Sequence, residues 1–149
     1  MRKILFILMA VVLTACASVG AASSEFDQAQ DKWQEADISH YSFELTYSCF
    51  CAFTSDMPLI IEVQDGEIVS MEYKNGNEID PASYELFEKY ATINRIFAEL
   101  EMALNGGADS VTVTYDETYG YPTQVNIDFD QQVADEEIYL TISNLEVLP

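Results

Sequence analysis

SVTVTYDETYGYPTQVNIDF, residues 110–129, carries two alternating runs on either side of a turn that contains Asp116, Gly120 and Pro122. Successive strand residues point to opposite faces. Val111, Val113 and Tyr115 therefore share one face of the first run, and Ser110, Thr112 and Thr114 the other. In the second run Thr123, Val125, Ile127 and Phe129 form the apolar side, with Gln124, Asn126 and Asp128 on the wet one. Gly120 can supply a positive φ, and Pro122 holds Tyr121 extended while needing no amide donor at a strand start. The pattern predicts a hairpin with a loop longer than the tight two-residue kind, about which the rest of the chain is organised. Asp116 is expected to accept hydrogen bonds from loop amides. Together with Tyr119, Gly120 and Tyr121 it forms a candidate binding tip.

Downstream, Ile138, Leu140 and Ile142 alternate with polar residues until the phase slips near Asn144, which predicts a bulge or a strand end. Upstream, Asp80-Pro81 reads as a helix N-cap and first helical residue. Leu86, Tyr90, Ile93, Phe97, Leu100 and Leu104 then recur at helical spacing up to Asn105-Gly106, with Thr92 placed to cap a second helix and split the segment near Ala91. Earlier still, Asp65-Gly66 sits between Leu59, Ile61 and Val63 on one side and Val69, Met71 and Tyr73 on the other, a strong hairpin signal. Tyr41, Phe43, Leu45, Tyr47, Cys49, Cys51 and Phe53 predict one long strand face. A helix over residues 25–37 precedes it, with Ser23 or Ser24 as N-cap and Trp33 as a core anchor. The expected fold is α+β: an antiparallel sheet of about six strands in two three-stranded meanders, with helices packed on one face. The order helix-βββ-helix-βββ suggests one unit used twice.

The chain opens with Arg2 and Lys3 before an apolar run over residues 4–13, the layout of a secretory signal and too short for a spanning helix. The run closes on Leu13-Thr14-Ala15-Cys16, which resembles a bacterial lipobox. The resemblance implies a signal peptide over residues 1–15 and lipidation of Cys16; ordinary cleavage near Ala21 is the alternative. Residues 16–24 then form the lipidated Cys16 and a tether over residues 17–24, reaching at most about 28 Å if extended, and residues 25–149 a single domain. Ala17 after the cysteine resembles lipoproteins sorted to an outer membrane, so the expected location is the bacterial envelope, with the membrane contacted through the lipid anchor.

Loss of Arg2 and Lys3 leaves four basic residues against 26 acidic ones and takes the formal charge from -20 to -22. Such a surface repels phosphates, which excludes nucleic acid as a partner. In an oxidising envelope Cys49 and Cys51 are a candidate disulfide; buried free thiols, redox chemistry and metal binding are the other readings. With His40 as the only histidine, a Cys/His metal centre is poorly supported. Asp128, Asp130, Asp135, Glu136 and Glu137 crowd one connection and are candidate ligands for calcium, a hard cation satisfied by carboxylates and loop carbonyls; no other cofactor is suggested. The functional expectation is a noncatalytic envelope lipoprotein that binds a protein or polymer through an exposed sheet face or the Tyr119, Tyr121 tip. The alternatives are a carboxylate-based hydrolase and a thiol-redox protein using Cys49 and Cys51.

Cys49-Phe50-Cys51, the strand pair around Asp65-Gly66, Thr92-Ile93 with Ile96-Phe97, Tyr115-Asp116, Gly120-Tyr121-Pro122 and Ala134-Asp135-Glu136-Glu137 together resemble the bacterial family called domain of unknown function 6174. The resemblance covers nearly all of the mature chain. It implies a small secreted or lipid-anchored protein and brings no catalytic residue with it.

Overall fold

The computed structural model describes residues 17–49, 51–133 and 136–149. The leader, the lipobox Cys16 and the acidic Asp135 lie outside the described residues. Three α-helices and six strands follow in the order α1 (Ala17–Glu35), β1 (His40–Ser48), β2 (Leu59–Gln64), β3 (Glu67–Tyr73), α2 (Pro81–Glu88), α3 (Ile93–Met102), β4 (Ser110–Tyr115), β5 (Pro122–Asp128) and β6 (Ile138–Val147). The fold is α+β, as the periodicities predict.

The strands form one antiparallel sheet in the order β3-β2-β1-β6-β5-β4. Its two halves are three-stranded meanders joined where β1 pairs with β6, from Tyr41 opposite Val147 to Ser48 opposite Tyr139. The β4–β5 hairpin therefore lies at an edge, and the organising pair is β1–β6. The first meander runs outward from the seam and the second runs inward to it. Both meanders therefore cross the sheet in the same sense, from β1 to β3 and from β4 to β6.

One face of the sheet holds the core. Tyr41, Phe43, Leu45 and Tyr47 of β1, Leu59, Ile61 and Val63 of β2, Val125 and Ile127 of β5, and Leu140 and Ile142 of β6 are buried on it. Phe26, Ala29 and Trp33 of α1, Phe87 of α2 and Ile93, Ile96, Phe97 and Leu100 of α3 cover them. Trp33 is a core anchor: its indole N–H donates to Asn94 Oδ1 at 2.9 Å, and its ring meets Tyr41 edge-on at 5.4 Å. Burial of these side chains, at about 1.5–3 kcal/mol each, is the main stabilising term.

Local signals set the element ends. Asp80 caps α2, accepting from the amides of Ala82 and Ser83, with Pro81 in the first turn. Thr92, itself buried, caps α3 by accepting from Arg95 N at 3.1 Å, which separates the two helices as predicted. Asp65 and Gly66 both have positive φ, 53° and 82°, as a tight hairpin turn requires.

Four expectations are corrected. A bulge between Glu62 and Val63 places Ile68 opposite Val63 and Met71 opposite Ile61, so Val69 turns outward and is 54% exposed. β1 ends at Ser48, and a 3₁₀ turn over Ala52–Asp56 replaces the predicted extension to Phe53, leaving Cys51 exposed. β5 stops at Asp128, which leaves Phe129 39% exposed instead of buried. Finally α1 begins at Ala17, not after Ser24, so residues 17–24 are helical where an extended tether was expected. Alanine is the strongest helix former, and this stretch contains several. The slip near Asn144 is present: Asn144 has a φ of 52°, and the β1–β6 register shifts beside it.

Candidate functional site

The β4–β5 loop is shaped from within. Asp116 Oδ1 accepts from the amides of Thr118 at 2.9 Å and Tyr119 at 2.7 Å, the turn-forming role expected of it. Gly120 has a φ of 80° and packs on the carbonyl of Ala29 in α1, so closely that a Cβ would also stand 3.0 Å from Lys32 Cβ. Lys32 Nζ donates to Glu117 O at 2.7 Å. Tyr121 is buried with its ring 6.4 Å from that of Trp33, and Tyr119 is half-buried. Asp116, Tyr119, Gly120 and Tyr121 are thus brought together as a clasp holding α1, with their surfaces turned largely inward.

Cys49 and Cys51 are joined by a disulfide, S–S 2.05 Å, with Cα atoms 5.2 Å apart. The end of β1 at Ser48 is what lets neighbouring same-phase residues approach this closely. Cys49 is half-buried and Cys51 exposed, so the thiols do not both face the core. The bridge leads into the 3₁₀ turn, whose Thr54 hydroxyl donates to Cys49 O at 3.0 Å. From that turn Phe53 packs on Phe87 at 4.8 Å and Tyr47 at 5.9 Å.

Two aspartate side chains are tied to the backbone of the acidic connection. Asp130 Oδ1 accepts from Gln132 N at 2.9 Å, and Asp109 Oδ2 from Gln131 N at 3.2 Å. Asp128 Oδ1, Glu136 Oε1 and the neighbouring Asn126 Oδ1 are buried with no hydrogen-bond partner among the described residues. Among those residues no group of three or more His, Cys, Asp or Glu side chains is arranged to hold a metal ion. Glu137 is half-buried, and Asp135 is the cluster member outside the described residues.

Of the perturbed carboxylates, Glu44 lies below its usual range chiefly through Lys74, whose Nζ is 2.6 Å from Glu44 Oε1. Asp80 is lowered by the Ser83 hydroxyl and by the helix amides it caps. Both shifts favour the ionised, structural form rather than a proton donor. Burial pushes Tyr41 up to about 12, and its hydroxyl accepts from Ile93 N at 3.1 Å.

The family model of a family of unknown function, DUF6174, matches residues 25–147. The chain belongs to DUF6174. No curated protein and no solved structure matches it. The DUF6174 match runs to the last residue of β6 and takes in all six strands.

The open face of this DUF6174 sheet carries the feature that sequence reading passed over. The strand register aligns Thr114, Gln124, Thr141 and Thr46 in one row across β4, β5, β6 and β1. Thr112, Asn126, Tyr139 and Ser48 form the next row. Each row crosses three strand spacings, about 14 Å. None of these eight residues is charged, on a chain whose formal charge is -20. Tyr139 is 47% exposed among them. Charged residues flank the rows on the same face: Asp128 follows Asn126 along β5, and farther off Glu44 pairs with Lys74 and Glu62 with His40 at 2.9 Å. The signal was available in the polar half of each alternation, which reads Thr, Ser, Gln and Asn on these strands; only the register gathers it into a patch.

Two depressions lie elsewhere. A cavity of about 30 Å³ is lined by Glu25, Leu104, Val111, Val113 and Tyr115, the space of a water molecule. A shallow groove of about 390 Å³ lies on α2 and α3 beside Glu85, Lys89 and Glu99, with Arg95 already bonded to the Glu88 carbonyl at 2.7 Å.

Proposed function

We propose that this protein is a noncatalytic module of the bacterial envelope, anchored through lipidated Cys16, that binds a neutral envelope polymer on the open face of its sheet. The observation that carries the reading is the uncharged double row. Thr46, Thr112, Thr114, Thr141 and Gln124 offer donors and acceptors on the open face, and Tyr139 offers an exposed ring. Hydroxyl and amide groups matched to a polyhydroxylated chain, with an aromatic ring to stack on, suit a glycan strand better than a charged ligand. The acidic surroundings disfavour anionic polymers. The anchor reading is supported by the charged, apolar and Leu-Thr-Ala-Cys succession of residues 2–16. Among the described residues no helix is long and apolar enough to cross a membrane.

Crosslinking and co-purification from the envelope test the reading, comparing the native chain with a Thr141→Arg, Gln124→Arg variant. Recovery of glycan with the native chain and its loss with the variant is the expected result. Equal recovery by both, or recovery of protein partners alone, would replace the polymer reading.

A further inference from the structure

The reading of Cys16 as the anchor, combined with the course of α1, fixes which end of the domain meets the membrane. α1 ends at Glu35 and leads directly to His40 at the start of β1, and its Ala29 and Lys32 meet the β4–β5 loop at that same end. The opposite end of α1 has Glu25 beside Leu104 and Val111, near the start of β4. Beyond Glu25 the helix continues back to Ala17, one residue after the lipobox cysteine. Eight helical residues span about 12 Å, less than half the reach of an extended tether, and they are stiff.

At the end of the sheet from which α1 emerges three large apolar side chains stand in solvent, while Val69 and Val147, at 54% and 53%, are exposed toward the far end. Met102 closes α3 and is 58% exposed; Phe129 and Val133, just past β5, are 39% and 48% exposed. Backbone bonds hold these segments together: Asp109 N donates to Asp128 O at 2.9 Å, and Val133 N to Asp130 O at 2.8 Å. At the far end lie the Asp65-Gly66 turn, the β4–β5 loop and His40. We propose that the end bearing Met102, Phe129 and Val133 rests on the bilayer that anchors the chain, with α1 as a short rigid stalk. The contact is shallow, because Glu101, Asp109 and Asp130 share this end and oppose both deep burial and anionic headgroups. The fitting surface is a zwitterionic one. The far end then faces away from the bilayer, and the uncharged rows stand along the side.

The proposal rests on the anchor reading, and the following experiment separates the two. Full-length chains carrying Met102→Cys, Phe129→Cys, Glu67→Cys or Thr118→Cys are labelled with a fluorophore under non-reducing conditions, and the N-terminal peptide mass is measured. They are reconstituted in phosphatidylcholine vesicles containing a headgroup quencher. Labels at 102 and 129 should be quenched about threefold or more relative to those at 67 and 118, and the contrast should shrink in phosphatidylglycerol vesicles. Uniform quenching, or stronger quenching at 67 and 118, overturns the proposal even if the mass shows acylated Cys16. An unacylated chain held by its leader and quenched at 102 and 129 upholds the orientation while removing the lipid anchor. A chain that does not associate with vesicles overturns both.

Discussion

Gly120→Ala tests the clasp between the β4–β5 loop and α1. At a φ of 80° an alanine pays the left-handed penalty, about 1–2 kcal/mol. Its methyl group would also overlap the backbone carbonyl oxygen of Ala29 and come within 3.0 Å of Lys32 Cβ, the first side-chain atom on the same helix. Overpacking of this kind typically adds about 1–3 kcal/mol. Gly66→Ala is the matched control, since Gly66 has a φ of 82° and nothing within 4 Å of the added atom. The two variants should share the first cost and differ by the second. For a domain of this size 1 kcal/mol moves Tm by about 3–5 °C. Gly120→Ala should therefore melt about 14 °C below the native protein and Gly66→Ala about 6 °C below it. Thermal and urea unfolding followed by Trp33 fluorescence reads the result, with Trp33 packed at 6.4 Å from Tyr121 as the reporter of the clasp. Equal losses in the two variants would refute the reasoning, since they would show that the contact with Ala29 costs nothing to relax.

Thr92→Val keeps the shape of a buried side chain but removes the α3 cap, and urea unfolding should show a loss of about 1–2 kcal/mol that Thr92→Ser largely restores. Tyr41→Phe deprives the Ile93 amide of its buried acceptor and should cost about 1–3 kcal/mol by the same assay. His40 is raised above its ordinary 6.5, first by its hydrogen bond to Glu62 and then by the Pro149 carbonyl. Its stabilising contribution is therefore complete below pH 6.5 and is lost as pH rises through the higher folded value. Relative to His40→Gln, the native protein should lose its advantage over that window, with unfolding curves at stepped pH as the check. Millimolar calcium should leave the melting temperature unchanged, because the described carboxylates do not converge; a clear rise would show that Asp135 completes a site with Asp128 and Glu136.

What was legible in the residues was local. Asp80-Pro81, Thr92 and Asp65-Gly66 each act within a few positions of themselves, and the elements they bound were predicted at the right places. Non-local pairing was hidden. Nothing in residues 110–129 distinguishes an edge hairpin from a central one, because strand order depends on partners far along the chain. Val69 was placed on the wrong face because a bulge shifts phase without leaving a mark in the alternation. Cys51 and Phe53 continue the period of β1 although the backbone has already turned. Tyr121 looked like a tip residue because turns are usually wet; Trp33, nearly ninety positions earlier, is what covers it. The uncharged rows had the same obstacle, since Thr46 and Thr141 become neighbours only through the β1–β6 seam.

That seam also orders events in time. The first strand made is completed by the last, Tyr41 meeting Val147 across a separation on the order of 100 residues. Until β6 exists, each meander has an unpaired inner edge, and the apolar face that α1 and α3 will cover is split in two. A chain made N-terminus first therefore closes the centre of its sheet last: its central hydrogen bonds wait for the final ten-residue strand. Strand order keeps the two meanders apart until synthesis is nearly finished, then closes the sheet in one long-range step.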